Sequence, residues 1–236
     1  MYHKKKYISV AKATKGGFMK FNENILFSGI NESDCRRMIE CFNAKIVEYK
    51  AGDVAFSYMR HSGKTGIILS GRAICVKYDI NGNRTILEQL EKNDITGDIF
   101  NFSRIGSSGI EVICETSVTI MMINNTEFTK RCSNACECHT KLVENMLSLM
   151  SEKATALSER VDVLSQRTIE DKLVTYLQIL QDRESNSSEA TIPFSITALS
   201  DYLCVNRSAL QREITRLTKD GVLKMNKRKF KLNINK

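Results

Sequence analysis

The chain has 236 residues, 42% of them apolar, and a formal net charge of +8. That length exceeds one small domain, the apolar content suits packed cores rather than disorder, and no run approaches the ~20 apolar residues of a membrane span. The N-terminal lysines lead into no apolar core of a secretory signal, so the eight cysteines read as reduced thiols of a soluble, cytoplasmic protein.

Residues 1–20 carry six lysines and no acid, and show no periodicity. They read as a basic extension outside the fold. Lys15-Gly16-Gly17 before Met19 is what a purine-rich ribosome-binding sequence encodes, so translation is expected to start at Met19. A flexible basic arm is the alternative. From about Lys45 to Ile123 short apolar runs alternate with turn signals: Ile46–Tyr49, Gly66–Ser70, Ala73–Tyr78, Thr85–Leu90, Ile110–Cys114 and Val118–Ile123. Asn81-Gly82 marks a hairpin, and Ser70-Gly71 and Gly97-Asp98 mark further breaks. Short strands at this spacing predict a closed or sandwiched β unit over residues 21–138. Cys35, Cys41, Cys75 and Cys114 fall in apolar surroundings and read as core.

A long helix is predicted over residues 139–166. Val143, Leu147, Met150, Ala154, Leu157, Val161 and Leu164 recur at alternating +4 and +3 steps, which fills every a and d position of a heptad pattern. Two readings exist: a helix packed on its own β unit, or a seam with a second copy. The two-position stripe is narrower than a core-facing one needs, which favours the homodimer. At the start of this helix Cys132, Cys136, Cys138 and His139 crowd together. Their spacing fits neither a common zinc pair nor a common iron–sulfur run, so small half-buried residues are the favoured reading over a metal or redox site.

Thr168-Ile-Glu-Asp171 resembles a capping box and opens a C-terminal domain, residues 167–236, with a hinge near Arg167. Residues 183–190 read as a polar loop. Ile196, Leu199 and Leu203 form one apolar face; Leu210, Ile214 and Leu217 form another. The break between them at Cys204–Asn206 makes a helix-turn-helix, with Asn206 as N-cap. Val222–Met225 and Lys229–Ile234 alternate as a wing, with Lys227, Arg228 and Lys229 at its tip. Residues 207–236 hold ten Lys or Arg against two acids, whereas residues 21–206 hold nineteen bases against twenty-five acids. A basic reading helix followed by a basic wing points to double-stranded DNA. No Gly-rich phosphate loop, GxSxG or HExxH occurs and His3, His61 and His139 are scattered, so no catalytic residue is assigned and the chain does not read as an enzyme. A β-roll regulatory module without DNA recognition is the second reading.

The order of these parts resembles the Crp/Fnr family of bacterial transcription regulators over roughly residues 21–236. The resemblance rests on Leu69-Ser-Gly71, Asn93-Asp-Ile-Thr-Gly97-Asp98, the Val143–Leu164 seam, Arg167–Leu173 and Leu199–Arg212. It implies an α+β fold: an N-terminal β-roll (a jelly-roll-like double-stranded β-helix), a long dimerisation helix and a C-terminal winged helix-turn-helix. It also implies homodimers, RNA polymerase as a further partner, and a ligand or redox event in the β-roll that reorients the DNA-binding domains. The family's base-reading arginines correspond to Arg207 and Arg212; phosphate contact alone is the other role open to each. Ser208 stands where an acid often reads cytosine, Gln211 is able to read adenine, and Cys204 replaces the turn glycine. Ser195, Asn206, Arg216, Lys227, Arg228 and Lys229 complete the expected DNA surface. The family's cyclic-phosphate Arg-Ser pair corresponds to Ser108 and Gly109, and its helix hydroxyl pair to Leu157 and Ser158, which argues against a cyclic nucleotide. An effector pocket is expected around Ile99, Phe100, Ser107, Ser108, Glu111, Leu157 and Ser158, with its ligand unassigned.

Overall fold

The computed structural model describes residues 6–8, 21–58, 63–97, 109–129, 137–184 and 189–233. The chain forms two compact units that divide at Glu152/Lys153. The first contains β1 (Lys6–Ile8), 3-10 turns at Phe21–Glu23 and Ile25–Phe27, α1 (Glu32–Cys41), β2 (Lys45–Tyr49), β3 (Val54–Ser57), β4 (Lys64–Ser70), β5 (Ala73–Tyr78), β6 (Arg84–Leu90), β7 (Ile95–Gly97), β8 (Ile110–Cys114), β9 (Val118–Asn124) and α2 (Asn125–Thr129). It ends within α3 (Glu137–Ser165), whose second half belongs to the other unit.

Two antiparallel sheets result, ordered β1-β2-β9-β4-β7 and β3-β8-β5-β6. The continuous apolar runs of the first sheet follow from burial on both faces. Successive side chains of a strand point to opposite sides. Val47, Ile68 and Ile120 therefore join Phe56, Cys75 and Val112 of the second sheet in one core. Their neighbours Ile46, Ile67 and Met121 join Phe27, Met38, Ile39, Phe128, Leu142 and Leu149 in another. Asn145, 8% exposed, fastens α3 to this second core by donating from Nδ2 to Leu26 O at 3.0 Å and Ser28 O at 2.8 Å.

Turn chemistry fixes the strand order. Gly71 sits at φ +86°, and a Cβ there would lie 2.1 Å from Ser117 O, so the Ser-Gly break accepts only glycine. Asp79 Oδ1 accepts from Asn81 N and Asn83 N, each at 2.8 Å, and closes the Asn-Gly hairpin. The Asn83 side-chain amide, followed by the backbone amides, holds the Asp79 carboxyl below its ordinary range.

Three features depart from the sequence reading. The backbone of Lys6–Ile8 pairs with Ile46–Glu48, so part of the expected extension is an edge strand. Helix α1 was not predicted, although Asn31 Oδ1 accepts from Asp34 N at 2.9 Å as an N-cap should. Cys41, read as core, is exposed: it is the last residue of α1, beyond the buried Cys35, Met38 and Ile39.

The second unit contains the rest of α3, then α4 (Ile169–Arg183), β10 (Ala190–Thr191), α5 (Ile196–Leu203), α6 (Arg207–Lys219), β11 (Leu223–Asn226) and β12 (Lys229–Leu232). Thr168 Oγ1 accepts from Asp171 N at 3.0 Å and donates to Asp171 Oδ2 at 2.6 Å, the reciprocal cap that starts α4. Leu199, Leu203, Leu210 and Leu217 are buried, in accord with the two predicted apolar faces, and Leu173, Leu177 and Phe230 are buried with them. The polar loop ends in β10, which joins the wing as a third strand in the order β10-β12-β11.

Candidate nucleic-acid interface

Helix α5 starts at Ser195, whose Oγ accepts from Ala198 N at 3.2 Å, so this hydroxyl serves as an N-cap. It ends at Cys204, which adopts φ 55°, ψ 47°. That left-handed corner lets the chain turn within two residues to Asn206. A side chain there costs on the order of 1 kcal/mol relative to glycine. Asn206 Oδ1 then accepts from Ser208 N at 2.9 Å, Ala209 N at 3.4 Å and Ser208 Oγ at 2.6 Å, which starts α6 and occupies the Ser208 hydroxyl.

Helix α6 buries Leu210, Ile214 and Leu217. Its opposite face exposes Arg207, Ser208, Gln211, Arg212, Thr215 and Arg216. Helical spacing sets Arg207 above Gln211 and Ser208 above Arg212, so guanidinium, amide and hydroxyl share one surface. Arg207 and Arg212 form no ion pair among the described residues. Arg216 behaves differently. Its guanidinium meets Glu213 at 2.5 Å, Glu170 at 2.6 Å and Asp220 at 3.2 Å. The hydrogen bond to Glu213, then that to Glu170, pushes its pKa further above the ordinary arginine value. Arg216 therefore braces α6 against the start of α4. Sequence reasoning missed this brace; Glu213 and Asp220 at i−3 and i+4 were a legible signal, and Glu170 was not.

The wing continues the cationic surface. Along β12 Lys229 and Lys231 are exposed while Phe230 and Leu232 are buried. Lys227, at φ 56°, and Arg228 form the exposed turn between β11 and β12.

The remaining expected sites are dispersed. Val143, Leu147, Met150, Leu157 and Val161 are 47%, 63%, 39%, 64% and 65% exposed, Ala154 is exposed and Leu164 half-buried. Glu111 is half-buried on β8, and Ser158 is exposed on α3. Ile99, Phe100, Ser107, Ser108, Cys132 and Cys136 lie outside the described residues. Gly109 sits at φ +85°, and a Cβ there would lie 2.9 Å from the Tyr78 carbonyl oxygen, so that position has no room for a serine hydroxyl. Cys138 Sγ donates to Asp34 Oδ2 at 3.5 Å, and the His139 ring stands edge-on to Phe42 at 6.0 Å. Burial pushes the Cys35 thiol up to about 11 and the Cys114 thiol up to about 12, as expected of core cysteines.

No family model and no curated protein matches the sequence. Solved structures do. FixK2 from Bradyrhizobium japonicum matches with TM-score 0.61 at 14% identity, over 81% of this chain and 93% of that one. The c-di-GMP responsive global regulator CLP of Xanthomonas campestris matches with TM-score 0.65 at 14% identity, over 85% and 100% of the two chains. TTHA1359, a Crp/Fnr-family transcriptional regulator from Thermus thermophilus, matches with TM-score 0.54 at 16% identity, over 80% and 93%. No helix among the described residues is long and apolar enough to cross a membrane. With its two-sheet β-roll, long helix and winged helix-turn-helix, the chain has the Crp/Fnr fold.

Proposed function

We propose that this protein is a homodimeric, sequence-specific DNA-binding transcription regulator. The observation that carries the reading is the solvent face of α6, where Arg207, Gln211 and Arg212 stand exposed beside the basic wing. The arginines suit guanine O6/N7 and the glutamine suits adenine N6/N7 in a major groove. Lys227, Arg228 and Lys229 suit backbone phosphates. Two reading helices, about one helical turn apart on DNA, require a two-fold pair. A second copy seated on the exposed Val143–Val161 stripe supplies that pair.

Within this reading the working domains are a β-roll at residues 21–138, a dimer helix at 139–166 and a reading domain at 167–236. RNA polymerase is the further partner, and the compartment is the cytoplasm. The β-roll receives an effector or a redox or metal event, with Glu111 and the segment around Ser107 and Ser108 as its receiving end.

Selection of bound duplexes from a random pool tests the proposal, followed by gel shifts at two salt concentrations. A palindromic consensus, bound with a steep loss of affinity on added salt, is the expected result. Capture of no duplex, by a protein whose β-roll still takes a ligand, would favour the regulatory module without DNA recognition.

A further inference from the structure

Arg160 lies on the part of α3 that belongs to the second unit and is only 8% exposed. Its guanidinium stacks on the Tyr202 ring at 4.2 Å, and its Nη2 donates to Tyr202 O at 3.2 Å. Nη1 is buried and has no hydrogen-bond partner among the described residues. The Tyr202 ring is itself wedged against Tyr176 and Phe194, each 4.9 Å away between centroids. Tyr202 sits in α5, two residues before the left-handed Cys204 corner that leads into the reading helix. A second tie, the ion pair of Glu159 with Arg183, joins α3 to α4.

A buried cation with no carboxylate partner among the described residues is an expensive way to fill space; a methionine would pack there at lower cost. What the guanidinium adds is direction, since its plane and its donor must both meet Tyr202. On the same turns of α3, Leu157 and Val161 are 64% and 65% exposed, while Val163 beside Arg160 is 1% exposed. The helix thus offers one face outward and uses the other to hold α5.

The geometry assigns Arg160 as a positioning residue that sets the distance and angle at which the two reading helices of a dimer are presented. It reaches DNA only through α5, and it fixes the preferred separation of the two half-sites rather than the bases read in either. This rests on the dimeric DNA-binding reading above.

The test compares wild-type protein with Arg160→Met and Tyr202→Leu on three duplexes. One carries the selected palindrome, one the same half-sites moved apart by about half a helical turn (~5 base pairs), and one a single half-site. Wild type is expected to lose on the order of 100-fold when the half-sites are moved, because simultaneous engagement is forbidden. Arg160→Met is expected to lose less than about fivefold on the same change, while its single-half-site affinity stays within about twofold of wild type. Its melting temperature should not fall, because an unneutralised buried cation has been removed. Arg160→Lys keeps the charge but not the planar stack and should not restore the spacing preference. Should Arg160→Met not fold, Tyr202→Leu gives the same comparison. Variants that keep the wild-type spacing profile overturn the assignment and leave DNA binding intact. A wild-type protein that binds duplexes without spacing preference, or binds none, overturns the dimeric reading and this assignment with it.

Discussion

The two units of the chain treat charge in opposite ways. In the first, helix cations are answered locally: Arg36 by Glu32, Arg37 by Asp34 and Lys141 by Glu144. Such surface pairs are worth little and mainly keep the surface neutral. In the second, Arg207, Arg212, Lys227 and Arg228 stand exposed on one helix and one hairpin turn. The contrast repeats within a single helix, where Arg216 is bound by three carboxylates and Arg212, one turn away, is bound by none among the described residues. An arginine count alone would rate these residues equally. Their surroundings separate a braced arginine from ones that carry no ion pair among the described residues.

The largest expected effect concerns the presentation of this surface. Replacing Leu147 and Leu157, both more than 60% exposed, with aspartate places charges on the proposed seam. Sedimentation should then show monomers, and palindrome affinity should fall by on the order of 100-fold or more as avidity is lost. An unchanged dimer would place the second copy elsewhere.

Next comes the split between the proposed reader and the brace. Arg212→Ala should cost about 1–3 kcal/mol on the selected palindrome and much less on random duplex, as for a lost bidentate base contact. Equal losses on both duplexes would reduce Arg212 to a phosphate contact. Arg216→Ala should instead lower the melting temperature and leave the base preference unaltered. A change of preferred base on its removal would erase the distinction between the two arginines.

A smaller effect is expected at the wing. Lys227→Ala should weaken binding to all sequences alike and reduce the slope of log affinity against log salt by about one. The smallest is confined to stability. Cys204→Gly should raise it by about 1 kcal/mol, because glycine adopts the left-handed corner without strain. A loss instead would mean that the thiol's contact with the Asp201 carbonyl oxygen outweighs the strain.

What the sequence made legible followed periodicity. The stripes of α5 and α6, the cap at Asn206, the alternation of the wing and the Asn-Gly hairpin each depend on residues close in the chain. The apolar residues of β4 announced a strand, yet not that both of its faces are covered. That depends on α1 and the 3-10 turns packing from one side and the second sheet from the other. Short elements such as β3, β7 and β10 exist because a neighbouring strand pairs with them, and no local pattern announces that. The exposed basic face of α6 was legible in the same way, whereas the brace of Arg216 and the Arg160–Tyr202 stack were not. Both join residues far apart in sequence: Glu170 with Arg216, and Arg160 with Tyr202.

Strand β1 carries a further consequence. It caps the outer side of β2, the strand it pairs with in antiparallel register from Lys6↔Glu48 to Ile8↔Ile46. A chain shortened to begin at Met19 would leave the amides and carbonyls along that border of the sheet open to solvent. Such a bare margin is a template on which a strand from another molecule can zip. The shortened form should therefore be the more prone to self-association into higher aggregates, independently of anything that happens on DNA.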